Sequence, residues 1–139
     1  MKEILVAMML WLSANTSYNI DHPLPTVKFM PQTELNSMFY GGEIPKGNHL
    51  YGIYSLEEDT IILPDTWNPN EAWDMGVLLH ELVHYVQDVN KIKFDCVAQM
   101  EKDSWPLQKD YLKEVHDYVW DYDPMWYMVI STCSDPFNY

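Results

Sequence analysis

The sequence predicts an α+β domain in which a small, mostly antiparallel N-terminal sheet packs on helices from the C-terminal half. Short β-prone runs broken by proline and glycine occupy residues 26–64, and longer runs with an apolar period of three to four residues occupy residues 70–132. Strands come early and helices late, which argues against alternating βαβ units. At 139 residues the chain has the length of one ordinary domain, and residues 1–139 are read as one.

The elements follow in chain order. Ile4 to Leu12 is the longest apolar run, and its nine residues are too few to cross a bilayer, so no membrane span is expected. Ile4, Met8, Trp11 and Leu12 fall at helical spacing, as in a first core helix. A signal peptide is the competing reading of residues 1–14, with Lys2 as its charged start and Leu12-Ser13-Ala14 as a cleavage site. Thr26 to Met30 alternates as a half-buried strand does, with Val27 and Phe29 on one face and Lys28 on the other. Thr33 to Phe39 reads as a brief helix ended by Gly41-Gly42, and Glu43 to His49 as a loop. Leu50 to Ser55 and Thr60 to Leu63 form a hairpin across the charged turn Leu56-Glu57-Glu58-Asp59. Pro64 closes the second strand and, lacking an N–H, predicts that this strand lies at a sheet edge. From Asn70 onward Met75, Leu78, Leu79, Leu82, Val83, Val86 and Val89 mark an amphipathic helix. A second helix is expected from Asp95 toward Lys113 with a kink at Pro106, and a third apolar stretch spans Val115 to Thr132 with a break at Pro124.

Composition excludes some functions. Eight Lys and no Arg stand against 21 acidic residues, a formal charge of -13, and no basic stripe exists to meet a polyanion, so nucleic acid is not a partner. Cys96 and Cys133 are the two cysteines and fit either one disulfide or two buried thiols; neither lies in a CxxC pair, so a cysteine-ligated zinc site is not expected.

The chemistry lies in the long helix, where residues 79–84 read Leu-His-Glu-Leu-Val-His and spell HExxH. His80 and His84 share a helix face and can reach one zinc ion. Glu81 is turned about 100° from His80 around the helix. It is therefore placed to act as general base on a zinc-bound water attacking a carbonyl, and then to protonate the leaving amine. With five His and nine Glu in the chain, the motif is expected by chance about 0.01 times. The helical context then favours a metal site over a surface His/Glu pair. Asn90 stands where a third-histidine signature, HExxHxxGxxH, would need its last histidine. The third ligand therefore falls to a downstream carboxylate. Asp88 is read as orienting a ligand or meeting solvent, which leaves Glu101 and Asp103 on the following helix.

The stretch from Thr60 to Gln108 resembles the small gluzincin-type metallopeptidases and is similar to minigluzincin-like proteins of bacteria and phages. It contains Ile61-Ile62-Leu63-Pro64-Asp65, Trp67-Asn68-Pro69, the run from Leu78 to Gln87, and Glu101-Lys102-Asp103-Ser104-Trp105-Pro106-Leu107-Gln108. The resemblance implies a zincin-like fold and a bacterial or phage origin; it leaves the compartment open, with a secreted or virion-associated setting as one reading. It also implies a glutamate ligand with a polar or aromatic residue four positions on, a frame that Glu101 and Trp105 fill. Asp103 remains the alternative, with Met100 and Trp105 flanking the site if Glu101 faces inward. The strand before the motif is then the rim of the cleft, where an extended peptide can pair with its backbone.

Other residues receive weaker roles. His116 and Tyr111 are candidates for stabilising an oxyanion, though packing is the commoner use of such side chains. His22 and His49 lie in loops and receive no role. Glu57, Glu58, Asp59, Asp65, Glu71 and Asp74 surround the expected cleft strand and helix start and read first as a solvated rim with helix N-terminal charge, and second as a bias toward Lys- or Arg-containing substrates. The leading function is a zinc-dependent peptidase. The alternatives are a zinc-binding structural or interaction module, such as a phage or envelope component, and a zinc hydrolase of cell-wall peptide cross-links.

Overall fold

Three β-prone runs become one three-stranded sheet in the structure, a computed structural model that describes residues 1–40 and 50–133. The strands are β1 (Thr26–Met30), β2 (Ile53–Ser55) and β3 (Thr60–Pro64), in the order β1-β3-β2. The hairpin is as expected: β2 runs antiparallel to β3, with Ile53 opposite Ile62 and Ser55 opposite Thr60. At its turn Asp59 takes a left-handed conformation (φ 51°), and Ser55 Oγ accepts from the Glu58 amide at 3.2 Å.

Two expectations are corrected. β1 pairs parallel with β3, from Thr26 opposite Thr60 to Met30 opposite Pro64, so the sheet is mixed and not mostly antiparallel. β3 is the central strand, not an edge. Pro64 is tolerated because the next amide, Asp65, donates to Met30 O at 2.8 Å. Alternation then turns position 64 toward the β2 side, beyond Ile53, where there is no ladder bond to lose. The signal was present: Thr60-Ile61-Ile62-Leu63 is continuously apolar after its threonine, and every residue of β3 is buried, as in a strand covered on both faces.

Helix α1 (Lys2–Asn15) buries Leu5, Met8, Met9 and Leu12 in the core, with Ile4 and Trp11 packed at its margin, as the core-helix reading expects. Helix α2 (Gln32–Tyr40) follows Pro31 directly and buries Leu35 fully. The expected stop at Gly41-Gly42, the loop Glu43 to His49 and His49 itself lie outside the described residues.

Helix α3 (Ala72–Val89) is the centre of the molecule, and from Gly76 to Gln87 almost every residue is buried. The face carrying the histidines is also covered, by Glu101 and Gln108 of the following helix. Gly76 makes this approach possible: a Cβ there would sit 2.7 Å from the side chain of the fully buried Leu112.

The helix expected from Asp95 starts later. Asp95 pairs with Gln99, its amide donating to Gln99 Oε1 at 2.8 Å. A 3-10 turn, Val97–Met100, then leads into α4 (Glu101–His116). Pro106 lies inside α4 and removes the donor for the carbonyl of Lys102. The Tyr127 hydroxyl donates to that carbonyl instead, at 2.5 Å. Asp117 ends α4 in a left-handed conformation (φ 51°). A segment without regular structure carries Trp120 and Tyr122 to α5 (Pro124–Ser131), where Asp123 Oδ1 caps the Met125 amide at 2.9 Å. The stretch from Val115 to Thr132 thus divides between the end of α4, this irregular segment and α5. Cys96 and Cys133 form a disulfide joining the start of the 3-10 turn to the end of α5. Among the described residues no helix is long and apolar enough to cross a membrane.

Candidate metal centre

Because α3 is rigid and buried, His80 and His84 are held one turn apart with their Nε2 atoms 3.1 Å from each other. Glu101, the first residue of α4, is brought against both: Oε2 lies 3.0 Å from His80 Nε2, and Oε1 lies 3.1 Å from His84 Nε2. A tetrahedral zinc site with Zn–N near 2.0–2.1 Å separates its donor atoms by about 3.3 Å, so three donors gathered at these distances fit such an ion. The donor set is also of the right chemistry, two imidazoles and one carboxylate, and it is the three-residue group that could hold a metal among the described residues.

Asp103 is directed elsewhere. It is exposed and accepts from the Tyr18 hydroxyl at 3.0 Å. Asp88 is half-buried and accepts from the Tyr54 hydroxyl at 2.5 Å, tying α3 to β2 instead of orienting one of the three clustered residues.

The site's electrostatics favour a cation. Burial opposes a charge on His80, but Glu81 and Glu101 overcome it and raise the imidazole's pKa to about 9. Burial likewise opposes charge on Glu101, yet its bonds to His80 and His84 hold it well below the usual carboxylate range. Glu81 is buried, and burial pushes its pKa up against the lowering effect of the two imidazoles and of the Tyr54 amide that hydrogen-bonds it. A raised carboxylate pKa brings a base closer to neutral pH, where proton transfer is most effective.

Sequence reasoning missed the residues that orient these groups. Gln108 Oε1 lies 2.8 Å from His80 Nδ1, Gln87 Oε1 lies 3.0 Å from His84 Nδ1, and Ser104 Oγ donates to Glu101 Oε2 at 3.0 Å. The signal was spacing: Gln87 is one turn beyond His84, while Ser104 and Gln108 are one and two turns beyond Glu101. Gly52 was missed as well. A Cβ there would sit 3.3 Å from Glu81 Cγ and 3.2 Å from Val77, so glycine lets the chain entering β2 lie close against the base.

The cluster opens into a cleft of about 490 Å³ whose walls include Tyr51, Trp73, Met100, Trp105, Trp120 and Ile130. Met100 and Trp105 flank the site as expected. The rim is not the strand directly before the motif, because β3 is paired on both edges; the chain of β2 and the residues leading into it, Leu50 to Tyr54, line the cleft instead. His116 bonds to Tyr111 at 3.3 Å, Tyr111 packs edge-on to Trp11, and neither lines the cleft. His22 does not line it either. The six acidic residues expected to ring the cleft are absent from its lining; Glu58 pairs with Lys28, and Asp74 accepts from the Asn68 amide.

Fold and site together define an α+β domain with a His-His-Glu cluster at the base of an aromatic cleft. The chain belongs to the family described as Domain of unknown function (DUF6647), whose family model matches residues 1–135. Comparison with curated proteins and with solved structures gives no match.

Proposed function

We propose that the protein is a zinc-dependent peptidase of zincin-like fold, with His80, His84 and Glu101 as ligands and Glu81 as general base. The observation that carries this reading is the pairing of a compact His-His-Glu donor set with a buried carboxylate on the same helix, both opening to one cleft. A zinc ion held there supplies Lewis acidity, polarising a carbonyl and acidifying water.

The chain's own residues do the rest. Glu81 takes the proton of the attacking water and returns it to the leaving amine. Among the described residues β2 pairs only with β3, so its other edge offers backbone groups to an extended peptide, and the close approach at Gly52 sets the Glu81 carboxylate beside that edge. A purely structural metal site gains nothing from burying Glu81, a carboxylate that costs free energy to enclose.

The test is a peptide-library digest with and without a chelator, run on wild type and Glu81→Gln. Wild type is expected to cleave and to stop on chelation, while the variant keeps one zinc per chain and loses hydrolysis. A variant that loses zinc together with activity would make Glu81 a ligand and overturn the assigned roles.

A further inference from the structure

Two buried amides beside the cluster have a function that the hydrolytic reading does not supply. Gln87 is fully buried and Gln108 nearly so. Enclosing a carboxamide costs free energy unless its hydrogen bonds are made, and each of these makes one to a ligand imidazole. The direction of Gln87 is fixed by its other end, because Nε2 donates to the carbonyl of Met100 at 3.1 Å and a carbonyl only accepts. Its oxygen therefore faces His84 and requires the proton on Nδ1. In the neutral ring that leaves the Nε2 lone pair turned toward the cluster.

Both partners are uncharged. A carboxylate in the same place would lend negative charge to the imidazole and make it a stronger donor. We propose that Gln87 and Gln108 are positioning residues that fix both imidazoles for Nε2 ligation while withholding that charge, so that a bound cation keeps more Lewis acidity at some loss of affinity. This rests on the metal-site reading above but concerns binding rather than turnover. Gln87 has a second effect. His84 on α3, Gln87, the Met100 carbonyl and Glu101 form a closed ring of contacts, so one side chain keeps ligands from two separate elements in register.

The experiment measures zinc affinity by chelator competition, and the visible spectrum of the cobalt-loaded protein, for wild type, Gln108→Glu, Gln108→Met and Gln87→Met. Gln108→Glu is expected to bind zinc about tenfold more tightly and to shift the cobalt bands. The two Met variants, similar in length but with only a weakly accepting sulfur and no donor, are expected to bind about 10- to 100-fold more weakly. A glutamine that only fills space predicts that Gln108→Glu binds no more tightly than wild type, and that result overturns the proposal. If Gln108→Glu does not fold, the Met variants decide, and wild-type affinity in both overturns it. Should the ranking appear in a protein that cleaves no peptide, the peptidase reading falls and this one stands. Should wild type cleave while all variants bind zinc equally, the reverse holds.

Discussion

Glu101 and Asp103 stand two positions apart on α4, and the fold sends them in different directions. One is within 3.1 Å of both imidazoles, and the other is exposed and held by Tyr18. Glu101→Ala is therefore expected to weaken zinc binding by more than the roughly 10- to 100-fold typical of residues that only orient a ligand. Asp103→Ala is expected to cost far less, and a competing chelator ranks the two; the opposite order would move the third ligand to Asp103. At this scale the sequence showed the motif residues plainly, because two histidines four apart on a helix have a fixed relation whatever surrounds them. It could not show Gln108 as the partner of His80, although Gln87 lay one turn beyond His84 on the same helix. The role of Gln108 depends on where α4 lies across α3, and that is settled by packing at Gly76 and Leu112, far along the chain from each other.

The helices were legible where their apolar period was strong, as in α3, and misplaced where local hydrogen bonding competed. Asp95 looks like a helix cap, but its backbone and side chain are engaged by Gln99, and the α-helical geometry begins only at Glu101. The mixed sheet was not legible because the partner of β1 is chosen by tertiary contact, which strand patterning does not encode. The α3–α4 contact gives a direct prediction. Gly76→Ala pushes a methyl group into the side chain of Leu112, 2.7 Å away and fully buried. It is expected to destabilise the protein by about 1–3 kcal/mol, and by tilting α4 to weaken zinc binding as well. Chemical denaturation and chelator competition on the same variant check both effects; unchanged stability would mean that the helices have room to spare.

For the molecule as a whole, the disulfide holds α5 to the start of the turn that precedes Glu101, and the Tyr127–Lys102 bond holds it to the first turn of α4. Alkylation before reduction is expected to label neither Cys96 nor Cys133, and after reduction both, as read by intact mass. The Cys96→Ser, Cys133→Ser double variant is expected to lose about 2–4 kcal/mol of stability. Labelling of either thiol in the unreduced protein would show that the bridge does not form. The parallel pairing of β1 with β3 has a consequence for how the molecule assembles. The β2–β3 hairpin joins residues only a few positions apart, whereas Thr26 must find Thr60 across more than thirty intervening residues. Closing the longer loop costs more chain entropy and is slower, so the hairpin is set to form first and β1 to dock onto a partner already made. Native-state hydrogen exchange should then find the amides of β1 opening at lower free energy than those β3 shares with β2. The strand that completes the sheet is, on this account, the one that detaches most readily from it.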